Sequence, residues 1–422
     1  MNQRKLWHRD FTLVIIGQII SLFGNAVLRF ALPLYLLHQT QSSSLYGIVT
    51  ACSFLPMVVL SLVGGVLADR VNKRNIMVAL DFLTMLIILV TGLLVLNQFP
   101  IVPLCIAALM LLYSISGVYQ PAVQASIPVL ANEDQLITAN AIVNQIGTLS
   151  GLLGPVLGGI AYSAWGIAPV LWMSAACFGL SAVMEIFIHI PHVPIKADQG
   201  ALKLAITDLR ESYRFIRDEQ PLFIHVAAIA SGFNLVLSAV LMVGVPILVV
   251  QVLALPDTSL GIMQGMQALG GLAGGGIAIW AGNRLNLKRA HWLLAVCAST
   301  VFAIGLALLI NLPPALCGIV ITAMIFISMA AATLFAVQVY AIVQRRTPPH
   351  LLGKVMAVLL AVSMCAQPIG QAIYGFLFEW ADSNAWMVMT GAALVAFLMS
   401  TYAGRILSRV PDSADPAESL QD

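Results

Sequence analysis

Charge is what this sequence has least of. Asp, Glu, Lys and Arg make up 9% of its 422 residues, against 60% hydrophobic, where a soluble chain carries about 25% charged residues. So few charges cannot build a water-facing surface, so most of the solvent must be lipid. The net charge is only +2 and no basic face exists, which excludes nucleic acid as a partner. Close cysteine pairs are missing too. Cys52, Cys105, Cys177, Cys297, Cys317 and Cys365 each stand alone in an apolar run. They read as small buried hydrophobes, and neither a disulfide nor a zinc framework is expected. The seven histidines are scattered near segment ends, so no metal site is expected either. No P-loop is present, so ATP is not the direct driver, and no cofactor is expected. A membrane enzyme would need a Ser/His/Asp or His/Asp cluster at one depth; none is visible, and the chain reads as a non-enzyme.

What is there is long apolar segments. A spanning helix needs about 20 mostly apolar residues, and twelve candidates appear. They run over 11–37, 45–68, 75–96, 100–120, 137–163 and 167–190, then 222–252, 258–281, 290–311, 314–343, 353–379 and 384–407. The first run is too long for a signal-peptide core and is read as a retained span. Lys and Arg orient the set. With both termini in the cytoplasm, every one of the 20 basic residues falls on that side except Arg29. Loops such as "HQTQSSS" and "NQFP", on the other side, carry none.

The halves resemble each other at an offset of about 214 residues, the scale of a parallel six-plus-six repeat. "ADRVNKRN" (68–75) recurs as "GNRLNLKRA" (282–290), and Pro155 and Pro368 fall at matching places. Residues 1–192 and 221–410 are thus expected to be two six-helix bundles. Residues 411–422 form a tail, and 193–220 a linker. Within the linker, Leu202, Ile206, Leu209, Tyr213 and Ile216 fall at helical spacing, which predicts an amphipathic helix on the membrane surface.

The stretch "GGVLADRVNKR", 64–74, carries the most specific signal. Gly65, Leu67, Asp69, Arg70, Lys73 and Arg74 match the loop 2–3 signature of the major facilitator superfamily, which the chain resembles over nearly its whole length; Asn72 replaces the usual glycine. "FLPMVVLSLVGGVLADR", "IPVLANEDQLITANA" and "TPPHLLGKVMAV" resemble the macrolide-efflux and enterobactin-exporter branch. The resemblance implies an all-α membrane fold of twelve helices in two pseudo-symmetric bundles. It also implies a gate in which Asp69 meets the positive N-terminal end of span 11, with Gly65, Arg70, Lys73 and Arg74 beside it. The alternative for this turn is a solvated basic loop that only sets topology. In two places the chain departs from the drug-antiporter pattern: span 4 has no arginine, and Ser150 stands where a glycine is expected. Glycines in span 5 (Gly147, Gly151, Gly154, Gly158) and span 8 (Gly265, Gly270, Gly271, Gly274, Gly275) suggest either a sliding contact between bundles or ordinary close packing.

In the family, spans 1, 4, 7 and 10 line the cavity. On those spans the candidates are Gln18, Ser21, Asn25 and Arg29; Tyr113 and Gln120; Asn234, Ser238 and Met242; and Met324, Ser328, Phe335 and Gln338. Span 11 adds Gln367 and Gln371. A cavity of amides, hydroxyls, Met and Phe suits a bulky amphipathic solute; the alternative is that half of these groups bond only between helices. Asp81 is a candidate for carrying a coupling proton, with a structural role as its alternative. Glu185 is a second proton-coupling candidate, or a residue that snorkels to the membrane surface. Arg29 has three readings: it snorkels outward past Pro33, pairs with Glu379 or Asp382, or faces the cavity and attracts an anion. Together these readings predict a monomeric, multi-pass secondary transporter of the bacterial inner membrane. It would export drug-like or siderophore-like amphiphiles, with protons as the coupling ion implied by the resemblance. Uptake or flipping of an anionic amphiphile such as a lysolipid is the rival, and a membrane receptor or enzyme a more distant one.

Overall fold

The computed structural model describes residues 6–191, 210–281 and 290–407, all helix and short connections with no strand among them. Twelve long helices follow one another: α1 Arg9–Thr40, α2 Ser43–Arg70, α3 Lys73–Leu96, α4 Ile101–Leu130, α5 Leu136–Trp165 and α6 Ile167–Ile186. The second six are α7 Leu222–Val252, then α8 Asp257–Ala281, α9 Ala290–Leu309, α10 Pro314–Arg346, α11 Pro349–Ala381 and α12 Ala385–Leu407. Eleven are long and apolar enough to cross a membrane. The exception is α8, at 25 residues long enough, whose many glycines lower its hydropathy without shortening it. The chain is a multi-pass membrane protein.

Local chemistry sets the helix ends. The Ser42 side chain accepts from Leu45 N at 3.2 Å and starts α2. Asn72, which departs from the signature glycine, caps α3 by accepting from Arg74 N at 3.1 Å; an unsatisfied N-terminal donor there explains the amide. Gly166 joins α5 to α6 at φ 74, a conformation that L side chains resist. Helix α7 is wound as π-helix at Asn234–Ser238 and at Leu248–Val252, irregularities that concentrate at functional sites.

The duplication is visible in the packing. α2 packs on α4, α3 on α6 and α1 on α5; six helices later, α8 packs on α10, α9 on α12 and α7 on α11. The halves meet through α2 against α11 and α5 against α8. Because the helices alternate in direction, Arg9 and Leu407 lie at one end of the molecule, here the terminal end, and Thr40, Ser43, Asp257 and Ala381 at the far end. Of the expected linker helix, 193–209 lies outside the described residues. In the remainder, Phe215 and Ile216 are buried against Phe223, Val343 and Val355 of the second half. Tyr213, expected on the apolar face, is 61% exposed.

Candidate functional site

The first half holds a closed polar cluster between α1, α3, α4 and α6. Gln18 donates to the Tyr119 hydroxyl at 2.7 Å, and Tyr119 donates to Glu185 Oε1 at 2.7 Å. Ser21 donates to Asp81 Oδ1 at 3.3 Å. Glu185 is 0% exposed and Asp81 1%, so the snorkelling role expected for Glu185 is overturned. The reason lies in Tyr119 and Gln18, which offer the carboxyl a buried polar seat that the membrane surface does not have to supply. Arg74 reaches the same end of α6 but donates to the backbone carbonyls of Glu185 and Ile186, where helix-end carbonyls attract a cation. It forms no ion pair with the Glu185 carboxylate. Oδ2 of Asp81, Oε2 of Glu185 and Oε1 of Gln18 are buried without a hydrogen-bond partner. A cavity of about 20 Å³ adjoins Asp81, lined by Ser21, Asn25, Ser116, Tyr119 and Gln120; that is room for one water-sized molecule.

Two larger adjoining cavities lie in the second half. One, of about 230 Å³, is lined by Ser238, Met242, Gln264, Gln267, Ser328 and Gln367 together with Phe233 and Met329. The other, of about 300 Å³, is lined by Phe233, Asn234, Met329, Phe335, Met356 and Met364. Asn234, Ser238 and the π-wound turn between them bridge the two. Met242 Sδ accepts from Gln367 and Gln371 at 3.1 and 3.0 Å. Among the expected cavity residues, Met324 instead packs against the core of the second half. Gln338 is buried with its Oε1 unpaired. Tyr119, Gln264 and Gln267 were not expected. The glutamines sit in the glycine-rich α8, where the small residues dominate the pattern. Tyr119 has only its neighbour Gln120 as a signal.

Arg29 lies about 30 Å along α1 from Arg9 and about 16 Å short of Thr40, well inside the span. Its Nε donates back one turn to Asn25 Oδ1 at 3.0 Å, and its guanidinium carbon lies 4.0 Å from the Tyr113 ring centroid. Asn25 in turn donates to Ser116 at 3.1 Å. Arg29 thus turns toward α4 and away from the far surface, which removes the reading that it snorkels past Pro33. Pairing with Glu379 is removed as well, because that carboxylate is taken across the halves: Glu379 Oε2 accepts from Ser42 Oγ and from Ser44 N, both at 2.7 Å; Asp382, the other acid expected, is exposed and makes no ion pair with Arg29 among the described residues.

Those two bonds belong to a band of contacts that joins the halves at the far end. Ser43 donates to Gln251 at 2.7 Å, and His38 Nε2 lies 2.7 Å from Asp257 Oδ1, with the His38 ring stacked on Tyr162. Glycines make the approach possible. A Cβ on Gly47 would stand 2.6 Å from Gln371 O and 2.8 Å from Gly375 Cα, and one on Gly159 3.0 Å from Asp257 O. The glycines expected to slide between the bundles divide differently. Gly265 does face α5, through Val156, whereas Gly154 and Gly158 pack on α1, and Gly270 and Gly274 on α10. Toward the terminal end no such crossing is found among the described residues: Gly65 lies five turns along the same face of α2 as Gly47, yet a Cβ there meets none of them within 4 Å, and the same holds for Gly353 on α11. In the gate signature, Arg70 is exposed and Lys73 opens α3. The Asp69 side chain lies outside the described residues, as does Asn283, which occupies the Asp69 position in the second copy of the repeat.

The sequence matches the major facilitator superfamily over residues 14–371. It is 24% identical to macrolide efflux protein A of Streptococcus pyogenes, covering 94% of this chain and 96% of that one. It is also 24% identical to the enterobactin exporter EntS of Citrobacter koseri, over 92% and 90%. The multidrug efflux pump Tap of Mycolicibacterium fortuitum is 23% identical, over 88% and 90%. Among solved structures, the fold superposes on the nucleoside transporter NupG with a TM-score of 0.76 at 10% identity, covering 97% and 100% of the two chains. A bacterial homologue of the iron transporter ferroportin gives 0.70 at 17% identity, over 94% and 98%. Match, span count and two-bundle packing agree: the chain belongs to the major facilitator superfamily.

Proposed function

We propose that the protein is a monomeric secondary transporter of the bacterial inner membrane, with both termini in the cytoplasm, that exports amphipathic small molecules in exchange for protons by alternating access. The observation that carries the proposal is the buried pair Asp81 and Glu185. A carboxylate at that depth is costly as an anion, and neither group is ion-paired among the described residues. A pair that is hydrogen-bonded, enclosed and without a counter-charge suits proton uptake and release more than permanent charge. The far-end band, with no described residue within 4 Å of a Cβ at Gly65 or Gly353, fits a state closed to the outside and open to the cytoplasm. The cytoplasmic assignment of that open end rests on the Lys and Arg bias. Cavity walls of Met, Phe and glutamine fit large, mildly polar solutes, and the efflux relatives support export as the direction.

The test is drug or siderophore flux from proteoliposomes under an imposed pH gradient, with and without a protonophore. Gradient-driven accumulation of erythromycin, ethidium or a catecholate is expected. It should collapse with the protonophore and be lost in Glu185→Gln. Accumulation unchanged by the protonophore removes proton coupling. The rival reading, flipping or uptake of an anionic amphiphile, is favoured by one feature, Arg29 within the span, and predicts movement of a fluorescent lysolipid in the same vesicles.

A further inference from the structure

Arg29 is the one Lys or Arg of the sequence away from the terminal-end zone, and among the described residues it has no anionic partner. Its neighbours are an amide, Asn25, and an aromatic face, Tyr113. Two acids of the far end are engaged elsewhere, Glu379 by Ser42 and Ser44 and Asp257 by His38, and Asp382 is exposed and makes no ion pair with Arg29 among the described residues. Asp81 lies in the polar cluster, bonded by Ser21. The guanidinium has five N–H donors in a fixed fork, and only Nε is used. Among the described residues the four on the terminal nitrogens have no acceptor, and none of those atoms is fully buried.

The seat is built to present those donors. Tyr113 covers one face of the guanidinium and Asn25 fixes its Nε, which leaves the outer edge, the edge that matches a carboxylate or phosphate in two parallel hydrogen bonds. Arg29 stands on the same stripe of α1 as Leu22 and Asn25, which line the small cavity beside Asp81. One residue on, Phe30 belongs to the same buried apolar cluster as Val236, Leu237 and Val240 of α7, so this level of α1 borders the second half. There the cavity walls are Phe233, Met242 and Met329.

We infer that Arg29 is a specificity residue that binds the oxyanion of an amphipathic substrate, a carboxylate or phosphate whose apolar body lies against the Met and Phe wall of the second half. The inference deepens the proposed transport function by giving its substrate a charge. It concerns binding alone, so it is tested without any gradient.

The probe is 11-(dansylamino)undecanoic acid and its methyl ester, read by fluorescence on the purified full-length protein in nanodiscs of neutral lipid. The acid is expected to bind at least tenfold more tightly than the ester. Arg29→Gln should remove that difference while leaving ester affinity within about twofold. Arg29→Lys should keep part of it, because the point charge remains and the fork is lost. If Arg29→Gln does not fold, Tyr113→Leu, which leaves the cation and removes its platform, should shrink the acid preference. Two competitors distinguish the sources of the anion: 1-oleoyl-lysophosphatidic acid displaces the probe if a lipid headgroup is accepted, and sodium laurate if a free amphipathic carboxylate is. Displacement by either that is lost in Arg29→Gln supports the site. Equal affinity for acid and ester in the wild type, or an acid preference that survives Arg29→Gln, overturns it. Proton-driven efflux can fail while this discrimination persists, and can persist while it is absent, so the two readings fall separately.

Discussion

A single methyl group on Gly47 is expected to open the far end. The Cβ of an alanine there would stand 2.6 Å from Gln371 O and 2.8 Å from Gly375 Cα, whereas ordinary contact begins at 3.4 Å. Both obstacles are backbone, so neither can swing aside, and α2 must move from α11 by about 0.8 Å, the difference between 3.4 and 2.6 Å. Overpacking of this kind costs about 1–3 kcal/mol. The gain from replacing glycine by alanine within a helix, about 1 kcal/mol, is present whether the far end is closed or open and so cancels. The closed state alone bears the clash, which shifts the balance between states by about 5- to 150-fold. The assay is a distance distribution between spin labels on Gln39→Cys and Asn384→Cys, one on each half at the far end, in a background with Cys365→Ala. Gly47→Ala should add a longer distance or make it dominant. Gly391→Ala, where an added Cβ meets nothing within 4 Å, should not. An unchanged distribution in a Gly47→Ala protein of normal thermal stability would refute the claim that this crossing holds the far end shut.

Three further outcomes are expected. Tyr119→Phe removes a hydroxyl that both accepts from Gln18 and donates to Glu185, leaving two buried polar groups unpaired. About 1–3 kcal/mol should be lost for each group, read as a lower Tm in detergent, with proton-driven flux reduced more than binding. Asp81→Asn should abolish gradient-driven accumulation while counterflow exchange of substrate persists; loss of both would make Asp81 structural. Asp257→Asn weakens the contact to His38 and should raise the reactivity of a Tyr162→Cys variant toward an impermeant thiol reagent; no change would remove His38 and Asp257 from the closure.

The span count and most helix bounds were legible because lipid imposes a one-letter rule, apolar for about 20 residues. The expected span at 222–252 coincides with α7, and that at 258–281 starts one residue inside α8. The repeat was legible because the residues that recur are polar, glycine or proline. The site was less legible. Glu185 lies one residue from the end of α6, and position alone suggested the surface. Its burial depends on Tyr119, 66 residues away, and no local pattern reports that partner. Arg29 was conspicuous as a charge, but its direction was not: Asn25, one turn back, was visible in the sequence, whereas Tyr113 comes from another helix. The far-end band was hidden, since Ser42, Ser43 and Ser44 look like ordinary loop and helix-end residues, and Glu379 was conspicuous only as a candidate partner for Arg29.

Glu379 is exposed, and both of its bonds to the start of α2, from Ser42 and Ser44, end on one oxygen. A charged contact in water is weakened by ions, over a Debye length of about 8 Å at physiological salt, while glycine-on-glycine packing is indifferent to them. The far end therefore has two kinds of fastening, a dry one set by the backbone and a wet one set by the surrounding medium. Its opening should become easier as ionic strength rises, so that, in the proposed transport cycle, the bath on that side would tune turnover without reaching the cavity at all.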